Sequence, residues 1–207
     1  MDRRDFIAAA LAGLCLPPAL AAEATILVLG DSLSAEYGLT RGTGWVALLE
    51  KKLAAEKVNA RVVNASISGD TTSGGRARLP ALLTQHRPTH VVIELGGNDA
   101  LRGGPLAATE ANLSQMTQVA QKAGARVLLV GMQVPPNYGT AYAGEFAGMF
   151  PKLARRHKTA LVPFLLTGVA DVAEAASLFQ QDRIHPRAEA QPQMLANIWP
   201  ELRKLLK

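Results

Sequence analysis

The sequence predicts an α/β fold: a three-layer α/β/α sandwich around a five-stranded parallel sheet. Three observations lead there. Short apolar runs alternate with amphipathic stretches five times along the chain. The runs are almost continuously apolar rather than alternating, as strands covered on both faces are. Successive runs are separated by helix-length stretches, which impose crossover connections and parallel pairing. Right-handed crossovers leave few topologies, and the expected one is the flavodoxin-like strand order 2-1-3-4-5.

The elements follow in order. Residues 25–29 form the first strand. Over residues 45–57, Trp45, Leu48, Leu49 and Leu53 recur at helical spacing, which makes a helix with Trp45 in the core. Residues 61–65 are the second strand. Residues 71–86 are helical, with Pro80 expected to break or restart the helix because its ring removes a hydrogen bond. Residues 91–95 are the third strand, apolar except for Glu94, a buried acid that needs a partner. A helix over 107–122 ends at Gly124 as its C-terminal cap. Residues 126–130 are the fourth strand, 141–157 a helix with a kink expected at Pro151, and 160–164 a short fifth strand. Residues 171–177 form a short helix and 189–206 the last one. With no repeat, low-complexity tract or linker, residues 22–207 are expected to be one domain.

Composition narrows the function classes. Of 207 residues, 48% are hydrophobic and 19% charged, which fits a folded domain rather than a disordered chain. The formal net charge of +5 is mildly basic. The densest basic cluster, Arg155-Arg156-His157-Lys158, closes a helix, where cations suit the dipole. No basic face or binding module for nucleic acid is visible, and no nucleic-acid partner is expected.

The N-terminus reads as an export signal over residues 1–21. Arg3-Arg4 precedes an apolar stretch too short for a comfortable membrane span, and Ala19-Leu20-Ala21 is an Ala-x-Ala cleavage site. Arg3-Arg4-Asp5-Phe6-Ile7 also resembles a twin-arginine signal, and the export route stays open. Cys15, the only cysteine, falls inside the signal, so the mature chain is expected to have no disulfide, thiolate metal site or catalytic cysteine. A periplasmic or secreted bacterial protein without a stable membrane anchor is the expectation.

Ligands in such sheets bind outside the carboxyl ends of the strands, near the switch point between strands 1 and 3. Four loops lie there: Gly30-Asp31-Ser32, then the run from Asn64 through Ser66 and Gly69 to Asp70, then Gly96-Gly97-Asn98-Asp99, and Asp182-Arg183-Ile184-His185-Pro186. None has the glycine pattern or lysine of a nucleotide site. The set suits acyl transfer, which needs a nucleophile, a base, a group orienting the base, and oxyanion donors. Ser32 is the candidate nucleophile, His185 the base, and Asp182, three residues earlier, the orienting carboxylate. The N–H groups of Ser32 and Gly69 and the amide of Asn98 are candidate oxyanion donors, each typically contributing about 10²–10³ in turnover. Taken alone, Ser32 reads first as a helix or turn cap, and the alternatives for the others are a turn glycine at Gly69, a turn residue at Asn98 and a cap at Asp182; the partner blocks reverse the reading of Ser32. Asp31 and Asp99 are expected to brace their loops. His86, His90 and His157 lie near element ends without a partner motif, and no metal is expected.

Gly30-Asp31-Ser32-Leu33-Ser34, Gly69, Gly97-Asn98-Asp99 and Asp182-Arg183-Ile184-His185 resemble the four blocks of the SGNH (GDSL) hydrolases, in order and at similar spacing. "NASISGDTT", "ARLPALL", "VIELGGNDALRG" and "IHPRAEAQP" extend the likeness over nearly the whole mature chain, toward the family's bacterial periplasmic thioesterases, arylesterases and lysophospholipases. The resemblance implies Ser32, Gly69, Asn98, Asp182 and His185 as working residues, and neither metal nor organic cofactor. It implies a small-molecule acyl ester or thioester substrate, with lysophospholipid among the candidates, and a monomer. Leu33, Leu101, Pro135, Tyr138 and Ile184 are the expected walls of an acyl groove, and Gly103-Gly104 the hinges of a mobile loop. Two other readings remain: a carbohydrate acetyl esterase of the same superfamily, and a non-catalytic lipid-binding module.

Overall fold

Strand β1 (Ala24–Gly30) is the axis of the molecule, and Ile26 to Leu29 within it are wholly shielded from solvent. The computed structural model describes residues 23–207; the expected signal over 1–21 lies outside the described residues. Parallel strands β2 (Ala60–Asn64) and β3 (His90–Glu94) flank β1, and β4 (Arg126–Val130) and β5 (Ala160–Val162) follow, giving the order 2-1-3-4-5. All five residues of β3 are buried, as a strand covered on both faces requires.

The helices form two layers. Helix α1 (Trp45–Ala55) packs against α7 (Gln191–Leu205). On the other side α2 (Thr72–His86) packs against α4 (Leu106–Lys122), and α4 against α5 (Thr140–His157). Two short helices complete the fold, α3 (Gly97–Leu101) and α6 (Ala175–Leu178). Trp45 sits in the core with no exposed surface, as expected.

Several expected boundaries move. Pro80 neither breaks nor restarts α2, which is continuous through it. Pro80 faces solvent, so the ring costs one hydrogen bond while Leu79 and Leu83 stay buried beside it. α5 likewise runs through Pro151. β5 stops at Val162, because Pro163 has no N–H for the ladder. The segment 171–177 is helical only from Ala175, in α6. α3 has no periodic signature in the sequence. It starts at Gly96, whose φ of 117° suits only glycine and turns the chain sharply as β3 ends.

The core supports that turn. Phe146 and Phe150 meet edge to face at 5.4 Å, and a Cβ on Gly96 would lie 3.6 Å from each ring. Phe146→Ala removes a fully buried ring and is expected to lower unfolding free energy by about 3–5 kcal/mol, read from the denaturant midpoint of the purified protein. A loss below about 1 kcal/mol would mean that this ring is not part of a tightly packed core.

Candidate active site

The chain leaves β1 through a tight turn, not into a helix. The N–H groups of Ser34 and Ala35 both donate to the Asp31 carbonyl, and the next helix begins only at Trp45. Among the described residues the Ser32 hydroxyl caps no helix. Its Oγ lies 2.8 Å from His185 Nε2, although the two residues are 153 positions apart.

His185 is held from three sides. Its Nδ1 lies 2.7 Å from Asp182 Oδ2. Asp182 Oδ1 accepts the N–H groups of Ile184 at 2.9 Å and of His185 at 3.0 Å, so the carboxylate closes the turn that carries the ring. Arg183 within that turn adopts a left-handed φ of 58°, a conformation that side chains other than glycine's strain to adopt. The Tyr37 ring lies against the imidazole with centroids 4.3 Å apart. Gln180 links the two, donating its N–H to the His185 carbonyl and its amide to the Tyr37 carbonyl. Tyr37 and Gln180 are site residues that no sequence motif marks, although Tyr37 lies only five residues beyond Ser32.

The candidate oxyanion donors occupy the neighbouring loops. Among the described residues the N–H groups of Ser32 and Gly69 have no acceptor, and Gly69 has a φ of 79° that favours glycine. Asn98 stands in the first turn of α3 and differs. Its Nδ2 donates to Asp31 Oδ2 and to the Asp70 carbonyl, each at 3.0 Å, so both amide hydrogens are engaged. Asp99 braces its loop as expected, accepting the N–H and the hydroxyl of Thr72.

Behind Ser32 lie two buried acids. Glu94 is fully enclosed; its Oε2 accepts the Ser34 hydroxyl at 2.7 Å, while Oε1 has no partner among the described residues. Burial, then the nearby Asp31 charge, push the Glu94 carboxyl well above its ordinary value of 4.5. Burial also pushes Asp31 up, to about 6, against the lowering pull of the Leu33 N–H, His185 and Asn98. Asp182 goes the other way. Partial burial raises it, but the N–H of Ile184, the His185 ring and the His185 N–H outweigh that and hold it at about 2.

Two of the other histidines do have partners. His90 bonds Thr89 and the Leu205 carbonyl inside the fold. His157 pairs with Ser114 at 2.8 Å across α4 and α5, but among the described residues no carboxylate is bonded to its ring. A serine–histidine contact by itself is thus not distinctive here; the third partner is what sets Ser32 and His185 apart.

A groove of about 490 Å³ opens beside Ser32. Leu33, Leu101, Pro135 and Ile184 line it as expected. Tyr138 does not; its hydroxyl donates to the Leu101 carbonyl and holds the wall from behind. Met132, Phe164 and Leu166 supply further walls from segments outside the motif blocks, and Phe179 supplies one from beside the Asp182–His185 turn. The segment around Gly103-Gly104 is tied down by Tyr142, which donates to the Gly104 carbonyl, and by Arg102, which donates to that of Gly69.

Residues 28–191 match the model of the GDSL-like lipase/acylhydrolase family. The chain is 55% identical over 186 residues to Esterase TesA of Pseudomonas aeruginosa, covering 90% of this chain and 91% of that one. It is 46% identical over 172 residues to Thioesterase 1/protease 1/lysophospholipase L1 of Escherichia coli, covering 83% and 80%. The crystal structure of TesA superposes with a TM-score of 0.84 at 55% identity, over 87% of this chain and 99% of that one.

The raised Glu94 carboxyl has a consequence for stability. An unfolded glutamate loses its proton near 4.5, whereas the native one keeps it to much higher pH. In that window the native state binds the extra proton, so stability falls as pH rises. Glu94→Gln carries no titrating proton and is expected to melt above the parent at pH 8, with the difference shrinking toward pH 5. Thermal melts across that range check it; a difference independent of pH would mean that Glu94 titrates normally.

Proposed function

The chain belongs to the GDSL-like lipase/acylhydrolase family, and from that premise we propose that it is a serine hydrolase cleaving acyl esters and thioesters through an acyl-enzyme on Ser32. The observation that carries this reading is the unbroken series Asp182–His185–Ser32, at 2.7 and 2.8 Å. His185 Nε2 takes the Ser32 proton as Oγ attacks the acyl carbonyl. Asp182 holds Nδ1–H and stabilises the imidazolium. The N–H groups of Ser32 and Gly69 and the Asn98 amide receive the oxyanion, Asn98 after exchanging one of its present acceptors. His185 then protonates the departing alcohol or thiol, and a water deprotonated by the same ring releases the acid.

The groove names the substrate class. Its walls beside Ser32 are mostly apolar and suit one acyl chain, which a lysophospholipid or a simple ester supplies. An acetyl group would leave most of its roughly 490 Å³ empty, which counts against a carbohydrate acetyl esterase. A lipid-binding module would need no imidazole aligned on a serine. The working unit is the single domain of residues 22–207, acting as a monomer without metal or cofactor. Arg3-Arg4 and Ala19-Leu20-Ala21 support export to the periplasm or beyond, and among the described residues no helix is long and apolar enough to cross a membrane.

Hydrolysis of p-nitrophenyl esters by the mature protein tests the mechanism. Ser32→Ala is expected to lose about 10³-fold or more in kcat, and equal activity in both proteins would remove Ser32 from the reaction. Ala175→Phe places bulk in the groove wall and is expected to reduce kcat/KM for long acyl chains more than for acetate. An unchanged chain-length profile would place the acyl chain elsewhere.

A further inference from the structure

We propose that Asp31 is the positioning residue of the oxyanion site: its Oδ2 is the fixed pivot of the Asn98 amide, and Glu94 anchors the turn that carries it. This inference rests on the serine-hydrolase reading above and goes beyond it.

Asp31 borders the groove, but its carboxylate is not free to contact substrate. It is 3% exposed, and both oxygens are taken, Oδ1 by the Leu33 N–H and Oδ2 by Asn98 Nδ2, each at 3.0 Å. The Asn98 side chain is oriented by its two acceptors on other segments, Asp31 and Asp70. Its amide has two N–H groups and both are spent. An oxyanion is served only by exchanging one of them. The bond to Asp31 runs to a buried carboxylate, the other to the peptide oxygen of Asp70. Charge-assisted bonds are roughly twice as strong as neutral ones, so the Asp70 bond yields and the Asp31 bond stays. Asp31 thereby decides which N–H points at the reacting carbonyl.

Glu94 holds this arrangement from the opposite strand. It pairs with Gly30 in the β1–β3 register. Its Oε2 accepts the Asp31 N–H at 3.4 Å and the Ser34 hydroxyl at 2.7 Å, gripping the turn on both sides of Ser32. A Cβ on Gly30 would come within 2.8 Å of that oxygen, so the close approach requires glycine. A neutral amide at position 31 would place an NH2 where one of the two carboxylate oxygens now accepts, so either the Leu33 N–H or the Asn98 amide would face a donor. The titratable groups around Asp31 are Glu94, Asp70 and His185, with Arg78 bonded to Asp70 and to the Gly30 carbonyl. With its carboxyl at about 6, Asp31 is the acceptor form at neutral pH.

A double-mutant cycle on p-nitrophenyl ester hydrolysis tests the pivot. Asp31→Asn is expected to lower kcat on the order of 10²-fold, the cost of one oxyanion donor, with KM within about threefold. In the Asn98→Ala background the same substitution is expected to cost less than about threefold, because the group it acts through is gone. Equal losses in both backgrounds, or an unchanged kcat, overturn the proposal. If Asp31→Asn does not fold, Asp31→Glu, which keeps both oxygens but displaces them, enters the cycle under the same criteria. In the parent protein the Asn98 side-chain amide resonances are expected to shift as Asp31 changes charge, at a pH of about 6, and amide resonances that stay still while Asp31 itself titrates also overturn it. A parent as inert as Ser32→Ala on every ester would instead sink the hydrolase reading; an active parent with additive losses sinks only the role of Asp31.

Discussion

The parallel pairing of β1 with β3 is the constraint on which the rest of this protein depends. The register sets Gly30 against Glu94, so the two strands end side by side. From one end leaves the Ser32 turn and from the other the Gly96 turn into α3. Because the crossover between them passes through β2 and α2, the chain also delivers the Gly69 loop to the same edge. A one-residue slip would reverse which faces of β3 meet the helices and would move Glu94 from Gly30. Buried apolar strands resist such a slip, since β3 has no exposed residue to spare.

The site combines one short-range device with several long-range ones. Asp182 and His185 belong to a single turn, closed by the carboxylate's own bonds to two backbone N–H groups. Those contacts span only three residues of sequence. Ser32 reaches it only through the complete fold, across 153 residues of sequence. The strain at Arg183 and the contact with Tyr37 are the local signs that the ring's position is set from outside.

Two carboxyl groups beside a hydrophobic core work against stability. Glu94 stays neutral to accommodate this, and Asp31 stays close to the boundary between its two forms. The arrangement gives Ser32 a rigid turn and Asn98 a fixed acceptor in a region shielded from water. Bonds there are stronger than at the surface, and a missing partner costs more.

Much of this was legible in the chain itself. Continuous apolar runs such as Ile26 to Leu29 can be buried only between two layers, so layer number, strand order and direction followed from patterning and crossover handedness. The residues of the four loops at one sheet edge followed from the same reasoning, because strand ends are local features. What the sequence could not determine was how those loops meet. α3 is too short to show a period, and Pro80 and Pro151 are tolerated because burial of their neighbours outweighs one lost hydrogen bond. The groove walls Phe164, Leu166 and Phe179, the two occupied hydrogens of Asn98 and the Asp31–Glu94 pair arise from segments brought together in space. Side-chain direction, burial and charge coupling are properties of distance in three dimensions, and only the tertiary structure decided them.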